Sequence, residues 1–367
     1  MRDEHRLPVG QNIEPVRLVE AQYSRAMPVF LPGIELSRRF YQDVVAPFME
    51  SALPQFPHSA ALLGPGSEVL GFDTKRSTDR DWGPRLQLFL HPPACAAHAR
   101  QLDSALAAEL PPSYRGYCLR FRPDGSHGVV VSDLPTWCDR WLAIDPYAEL
   151  SLLDWLATPT QRLAEITTGA VFHDGLGDLT RLRERLRWYP DEVWRYILAC
   201  QWHRIEEREA LVGRCVEIGD QRGARVVSSS LVHELMRLQL LMQRRYPPST
   251  RWLGSAYAAL ERAERLDPDA VVDEPKLRHA YVAAAVTFNG LGITPPVDPA
   301  PRRLATRPYM VLGAGRFVDA LRGSLRDPRI AALPLIGAID QFVDNAEVLN
   351  DPVRCRTVTS AALGLGA

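Results

Sequence analysis

The stretch GPGSEVLGFDTKRSTDRDWGPRLQLFL, from Gly64 to Leu90, decides how the first half of this chain is interpreted. It opens on a glycine-serine turn, Gly66 and Ser67, and it ends in an apolar run. Between the two lie Asp79 and Asp81, which are separated by one residue. Because residues two apart on a strand point the same way, we expect both carboxylates on one face of a strand that continues to Leu90.

Paired carboxylates next to such a turn suggest a metal site. Two like charges this close raise each other's proton affinity unless a cation lies between them. Magnesium is held by one or two carboxylates together with phosphate oxygens, so Asp79 and Asp81 are predicted magnesium ligands. Gly66, Ser67 and the start of a predicted short helix at Ser67–Leu70 would hold the phosphates. The ordinary alternative is that all of these are turn residues.

The elements around this stretch mix strands and helices as far as about residue 135. An amphipathic helix is predicted over Glu35–Glu50, and the apolar face of the strand after the aspartates is expected to pack on helices while the acidic face looks outward. A further helix is predicted over Ala94–Leu110. Strands are predicted at Ala60–Leu63, Arg85–Leu90, Gly116–Phe121, Val129–Ser132 and Gly169–Phe172.

Beyond Leu176 the pattern is helical up to Gly290. Arg225–Arg245 is the clearest helix, with Val226, Leu231, Leu235, Leu238 and Leu241 along one side. A proline-rich connector then leads to a predicted helix at Phe317–Leu325. The fold class is therefore α+β, a small mixed sheet followed by a helical bundle. The predicted divisions are an irregular lead-in at 1–32, a sheet domain at 33–174, a helical bundle at 175–292 and a connector with a small helical segment at 293–367.

Composition excludes several classes of function. The chain has 367 residues, is 46% hydrophobic and has a formal net charge of −1, which argues against a broad nucleic-acid-binding surface. No segment approaches the ~20 apolar residues of a membrane span, and the first residues lack a signal peptide, so we expect a cytoplasmic protein. The six cysteines form no CxxC pair and are expected to be reduced thiols. The oligomeric state stays open.

Four stretches carry a family resemblance. GPGSEVLGFDTKRSTDRDWGPRLQLFL, GAVFHDGLGDL, LRWYPDEVWRYILACQW and VLGAGRFVDAL together resemble the bacterial DUF4037 family, and the first is similar to the hG[GS]…DxD signature of the DNA polymerase β-like nucleotidyltransferase superfamily. The resemblance runs from about Gly33 to Asp351. It implies a sheet carrying the metal site, with Gly66 and Ser67 holding a nucleoside triphosphate. It also implies a helical domain like that of aminoglycoside-type nucleotidyltransferases.

A third acidic residue completes the site in that superfamily, and this chain departs from the pattern. The close family has an acid near Val130, where this sequence has valine. Asp133 and Asp174 are the candidates for that catalytic role, and each has an ordinary alternative. Asp133 would cap a helix beginning at Pro135, and Asp174 would belong to a turn. Glu165 is expected on a solvated helix face.

Two further patterns have structural interpretations. Gly313-Ala314-Gly315 lacks the surroundings of a dinucleotide-binding motif and is predicted to be a turn that enters a helix. Trp252, in a segment similar to one in antibiotic nucleotidyltransferases, is predicted to belong to the core.

The expected function is transfer of an NMP, AMP from ATP, to a hydroxyl of an acceptor, either a small molecule or the end of a protein or tRNA, with magnesium as the cofactor and pyrophosphate leaving. Val130 motivates the alternative, a catalytically silent nucleotide-binding or regulatory protein on the same fold. The sequence leaves both open, together with the identity of the acceptor.

Overall fold

The computed structural model describes residues 29–79, 82–122, 124–260, 274–307 and 309–366. The first half contains α1 (Gly33–Phe40), a π-helical turn (Tyr41–Val45), α2 (Ala46–Ala52), β1 (His58–Leu62), a 3₁₀ turn (Lys75–Asp79), β2 (Leu86–Leu90), α3 (Pro92–Glu109), β3 (Ser113–Tyr114), β4 (Tyr117–Cys118), β5 (Val129–Ser132), α4 (Leu134–Leu142), α5 (Leu152–Ala157), α6 (Thr160–Thr168) and β6 (Ala170–Asp174).

The second half contains α7 (Asp178–Arg185), α8 (Asp191–Glu217), α9 (Gln221–Met242), α10 (Thr250–Ala258), α11 (Glu274–Gly290), β7 (Arg302–Arg303), β8 (Met310–Val311), α12 (Gly315–Ser324), α13 (Pro328–Ala331), α14 (Ile339–Phe342), α15 (Ala346–Leu349) and α16 (Pro352–Leu363). The protein is thus a mixed α and β structure with a small sheet followed by a helical region, which confirms the predicted fold class.

The main sheet has four strands in the order β5-β2-β1-β6. β1 pairs antiparallel with both β2 and β6, and β5 pairs parallel with β2. β1 ends, while β2, β5 and β6 begin, at one edge of the sheet, which we call the turn edge because the Gly64–Ser67 turn follows β1 there. Segments that follow β2, β5 and β6 leave from the far edge.

Both faces of the sheet are covered, so the expectation of an outward-facing acidic side is wrong. Leu86, Leu88 and Leu90 of β2 pack with α1 to α3 in one hydrophobic cluster. Phe89 points the other way and packs with Trp137 and the helical half. The period of two in β2 therefore separates two cores, as expected for a strand buried on both sides.

The strand before Leu90 is shorter than predicted. β2 begins only at Leu86, and Asp79 ends the 3₁₀ turn rather than lying on the strand. Gly83-Pro84 explains this, because proline cannot donate to a strand ladder and favours its first residues. Asp81 lies outside the described residues. The predicted strand at Gly116–Phe121 is also reduced, to β4, which pairs with β3 apart from the main sheet.

The helical region is built on the α8–α9 hairpin. Leu231, Leu235, Leu238 and Leu241 of α9 are buried on one side, as predicted, whereas Val226 is 71% exposed because, five residues before Leu231, it lies on a different face of the helix. α12 packs on α8 and α16 packs on α5, so the C-terminal helices contribute to the main core instead of standing apart. Among the described residues, no helix combines the length and the apolar character needed to cross a bilayer. All six cysteines are free thiols, four of them buried.

Candidate functional site

A large cavity lies where the turn edge of the sheet meets the helical region. Its volume is about 1780 Å³, and its lining comes from the glycine-serine turn, α6, α8, α9, the start of α10 and the C-terminal segment 340–350. Single small-molecule pockets are typically ~300–1,000 Å³. The cavity is therefore larger than a typical pocket for one small molecule.

The glycine-serine turn forms one end of this cavity. Gly66 has a φ of +155°, and a Cβ at this position would lie 2.2 Å from Nη2 of Arg85 and 2.7 Å from Oε2 of Glu68. The predicted helix after Ser67 is instead a hydrogen-bonded turn, in which the Phe72 amide donates to the Ser67 carbonyl over 2.8 Å. The space on the Cβ side of Gly66 is thus filled by these two side chains, and only glycine fits there without displacing them.

The segment that carries the two predicted metal ligands is anchored at both ends. The carboxylate of Asp73 accepts a hydrogen bond from the Gly33 amide at 2.7 Å and another from the Trp82 indole at 3.1 Å. Asp73 and Trp82 flank Asp79 and Asp81 in the sequence, and Trp82 lines the cavity. The structure thus brings both ends of this segment to the turn edge, beside Gly66 and Ser67.

Asp133 and Asp174 lie at the far edge of the sheet. Asp133 follows β5, caps α4 and accepts from the Thr136 amide at 2.8 Å. Asp174 ends β6 and accepts from the Ser59 hydroxyl at 2.6 Å and the Thr180 amide at 2.9 Å. A strand of four residues separates the edges by ~13 Å. The structure therefore does not bring either aspartate to the glycine-serine turn, and both carry out the capping and turn roles that were their alternatives.

Glu165 is the carboxylate that sequence reasoning missed. It is 6% exposed, not solvated, because α6 runs into the turn edge and its backbone carbonyl accepts from the Gly64 amide at 3.2 Å. Its carboxylate contacts Gln161 at 2.8 Å and Arg162 at 3.2 Å. Burial raises the pKa of Glu165, although these two neighbours partly oppose the rise. A buried acid beside a turn of this kind is a candidate for proton transfer.

Four arginines of the cavity wall are paired with carboxylates of the same wall. The pairs are Arg85 with Glu68, Arg162 with Glu165, Arg204 with Glu234 and Arg237 with Asp340. Asp340 also accepts from the Thr160 hydroxyl, so it ties α9, α6 and the C-terminal segment together. These pairs fix the orientation of the wall.

Trp252 was predicted to belong to the core, but the structure places it at the cavity. It is half-buried at the rim of the cavity, where it stacks on Phe72 with ring centroids 5.6 Å apart. Because Phe72 follows the glycine-serine turn and Trp252 lies on α10, the stack joins the two halves of the site.

The turn at Gly313-Ala314-Gly315 is confirmed as a helix entry. The carboxylate of Glu209 accepts from the amides of Gly313 and Ala314 at 3.1 and 2.9 Å. A buried residue of the chain itself therefore occupies the position where a phosphate would bind in a dinucleotide fold.

Comparison with known proteins supports a family assignment. Residues 155–253 match the model of the family described as Domain of unknown function (DUF4037). A solved structure, the nucleotidyltransferase-like protein from Exiguobacterium sibiricum 255-15, is similar at 14% identity and a TM-score of 0.28, over 79% of this chain and 89% of that chain. No curated protein matches the chain.

The chain is therefore a mixed α and β protein with a cavity between its sheet and its helices. More particularly, its residues 155–253 match the DUF4037 family model, which supports the resemblance found in the sequence. The matched residues 155–253 include Glu165, the polar faces of α8 and α9, and Trp252. They do not include the glycine-serine turn or the two aspartates, which remain predictions.

Proposed function

We propose that the cavity binds a nucleoside triphosphate and transfers its NMP group, AMP from ATP, to a hydroxyl of an acceptor. The observation that carries this proposal is the meeting, in one cavity, of the glycine-serine turn, the buried acid Glu165 and the arginine-bearing helices. The volume accommodates a nucleotide together with a second substrate. The triphosphate would lie against Gly66 and Ser67, and the acceptor would lie toward α8 and α9.

Asp79 and Asp81 would hold the magnesium ion. Carboxylates are the hard oxygen donors that this ion prefers, so the donor set fits chemically. Within the described part of the chain, no three His, Cys, Asp or Glu side chains are grouped to hold a metal. Phosphate oxygens and water would supply the remaining ligands. When bound, magnesium supplies neutralisation of the phosphate charge.

The residues of the chain would position and deprotonate the acceptor. In the balanced reaction, the acceptor oxygen bonds to the α-phosphorus, the bond from that phosphorus to pyrophosphate breaks, and the hydroxyl proton passes to the carboxylate of Glu165. A carboxyl group whose pKa is raised by burial is a better base near neutral pH than an exposed one. Arg162, held against Glu165, would keep the carboxylate oriented.

Titration calorimetry with ATP and Mg²⁺, followed by pyrophosphate release over a panel of hydroxylated acceptors, tests this function. We expect binding and acceptor-dependent release in the wild type. Asp79→Asn and Asp81→Asn should each abolish release while the protein stays folded. Release that persists in both variants would remove the assignment of these aspartates.

The second candidate is a nucleotide-binding or regulatory protein without turnover. The structure favours keeping it because Val130 pairs with Gln87 in the sheet, where an acid would be expected, and because Asp133 and Asp174 lie at the other edge. ATP binding without pyrophosphate release for any acceptor, including in a metabolite extract supplied with labelled ATP, would support this second function.

A further inference from the structure

One face of α9 turns polar residues toward the cavity. Ser230, His233, Glu234 and Arg237 follow one another at spacings of three, one and three residues, so they form a continuous stripe on a helix. The buried leucines lie on the neighbouring face of α9. Arg204 and Arg208, four residues apart on α8, extend the same surface. We call these six residues the helical wall.

The helical wall has more positive than negative charge. Its carboxylate, Glu234, is bound by Arg204 at 2.7 Å, and Arg237 is bound by Asp340 at 3.0 Å. Burial raises the pKa of Glu234, but hydrogen bonds from His233 and Arg204 more than offset this and hold it well below its usual range. The negative charges of Glu234 and Asp340 are thus balanced by the neighbouring Arg204 and Arg237.

Arg208 and His233 are the donors of the wall that this pairing holds least closely. Arg208 donates to the Arg204 carbonyl at 2.7 Å, and within the described residues its nearest carboxylate contact is a long one, 3.5 Å to the exposed Glu207. Nε2 of His233 lies 3.5 Å from the Thr250 hydroxyl and its Nδ1 lies 3.9 Å from the Glu234 carboxylate, so both of its contacts are long. Nε of Arg237 is buried and has no hydrogen-bond partner in the part of the chain that the structure describes. The wall therefore keeps donor capacity on Arg208 that its own residues do not use, and His233 is held only by long contacts.

We infer that the helical wall binds a phosphate group of the acceptor, so that the acceptor is a hydroxylated phosphomonoester and not a polycation. This rests on the proposed function, in which the triphosphate occupies the turn edge. A guanidinium, an imidazole and the Ser230 hydroxyl, placed on two adjacent helices, suit a tetrahedral group with three acceptor oxygens. A carboxylate offers only two acceptor oxygens.

Phosphate binding to nucleotide-loaded protein tests the inference. The protein is saturated with Mg²⁺ and α,β-methylene-ATP, and inorganic phosphate is then titrated by calorimetry, with acetate in a parallel titration. We expect phosphate to bind the wild type and the double variant Arg208→Ala, His233→Ala to bind at least tenfold more weakly. Arg222→Ala, which removes an exposed arginine of α9, should bind as the wild type does, and Arg208→Lys should keep part of the affinity.

Three results would overturn the inference. They are no phosphate binding to the loaded wild type, equal phosphate binding by the double variant, and acetate binding as tightly as phosphate. A loss of analogue affinity in the double variant would also overturn it, because the wall would then serve the triphosphate. If the analogue binds no form of the protein, the proposed function fails. In that case, titration of phosphate into the free protein tests phosphate binding by the helical wall on its own. Weaker phosphate binding in the double variant would support the inference.

Discussion

Arg85 and Glu68 form an ion pair, 2.6 Å between Nη2 and Oε1, at the position that a side chain on residue 66 would occupy. Their side chains are 14% and 4% exposed, so the pair is largely removed from solvent. Arg85 also donates to the Pro65 carbonyl. The pair therefore supports the glycine-serine turn from behind and makes glycine necessary at position 66.

Gly66→Ala is expected to disturb the turn and weaken ATP binding by at least about tenfold. Its Cβ would collide with Arg85 and Glu68, and both must move for the turn to form. Calorimetry with ATP and Mg²⁺ measures the change. Gly71→Ala is the matched control, because Gly71 also has a positive φ, +76°, but has no atom within 4 Å of the added Cβ. Equal affinity in both variants would contradict this account of the turn.

Glu165→Gln is expected to lower turnover by roughly 10²–10⁴-fold while ATP binding is retained, since the amide cannot take the acceptor proton. Because burial raises the pKa of Glu165, the acid limb of the rate profile should lie above the ordinary range of a glutamate. That limb should disappear in the variant. Steady-state pyrophosphate release from pH 4 to pH 9 checks both points. The exposed Glu184→Gln serves as the control, and a limb that persists in Glu165→Gln would exclude this base.

Glu209→Ala is expected to lower the free energy of unfolding by about 1–3 kcal/mol, because two amides at the start of α12 lose their acceptor inside the protein. Glu209 is 8% exposed, and burial raises the pKa of its carboxyl. Urea unfolding measures the change. Glu209→Gln keeps one acceptor oxygen and should cost less. An alanine variant as stable as the wild type would show that these two hydrogen bonds contribute nothing net.

Stability should fall on mild acidification because of His58. Burial, and secondly the neighbouring His173, lower the pKa of His58 from 6.5 to about 4. Between these values the unfolded chain binds the proton and the folded protein does not, so the stabilisation is complete above pH 6.5 and is lost as the pH falls toward 4. The difference in melting temperature between pH 7 and pH 5 should shrink in His58→Gln.

The glutamine in that variant keeps a polar partner for the Tyr41 hydroxyl, which lies 2.9 Å from Nε2 of His58. His91→Gln changes an exposed histidine and should leave the pH dependence as it is in the wild type. An unchanged dependence in His58→Gln would show that other groups govern acid unfolding.

Local patterns predicted the elements well where one periodicity dominated. The alternation of Leu86, Leu88 and Leu90 identified β2, and the leucine spacing identified α9. They failed where a single residue sets a boundary. Pro84 is an example, because it prevents β2 from beginning as early as Asp79, which was the prediction. The capping role of Asp133 could be predicted from the sequence, because its side chain bonds to the amide of Thr136, only three residues further along the chain.

The candidate site was only half predictable. The turn at Gly66 and Ser67 is a local signal, but Glu165 looked like a solvated helix residue because nothing in its neighbourhood says that α6 runs into the end of β1. The polar stripe on α9 was present in the sequence beside the leucine stripe. It was missed because polar helix faces usually meet solvent.

The sequence by itself determined most of the elements and the mixed fold class, because these depend on periodicity and turn chemistry within a few residues of one another. Only the tertiary structure decided which acids share a site. Strand order and direction place Glu165 at the turn edge and Asp133 and Asp174 at the far edge. Such proximity between distant residues follows from packing the whole sheet against the helices, which no local spacing encodes.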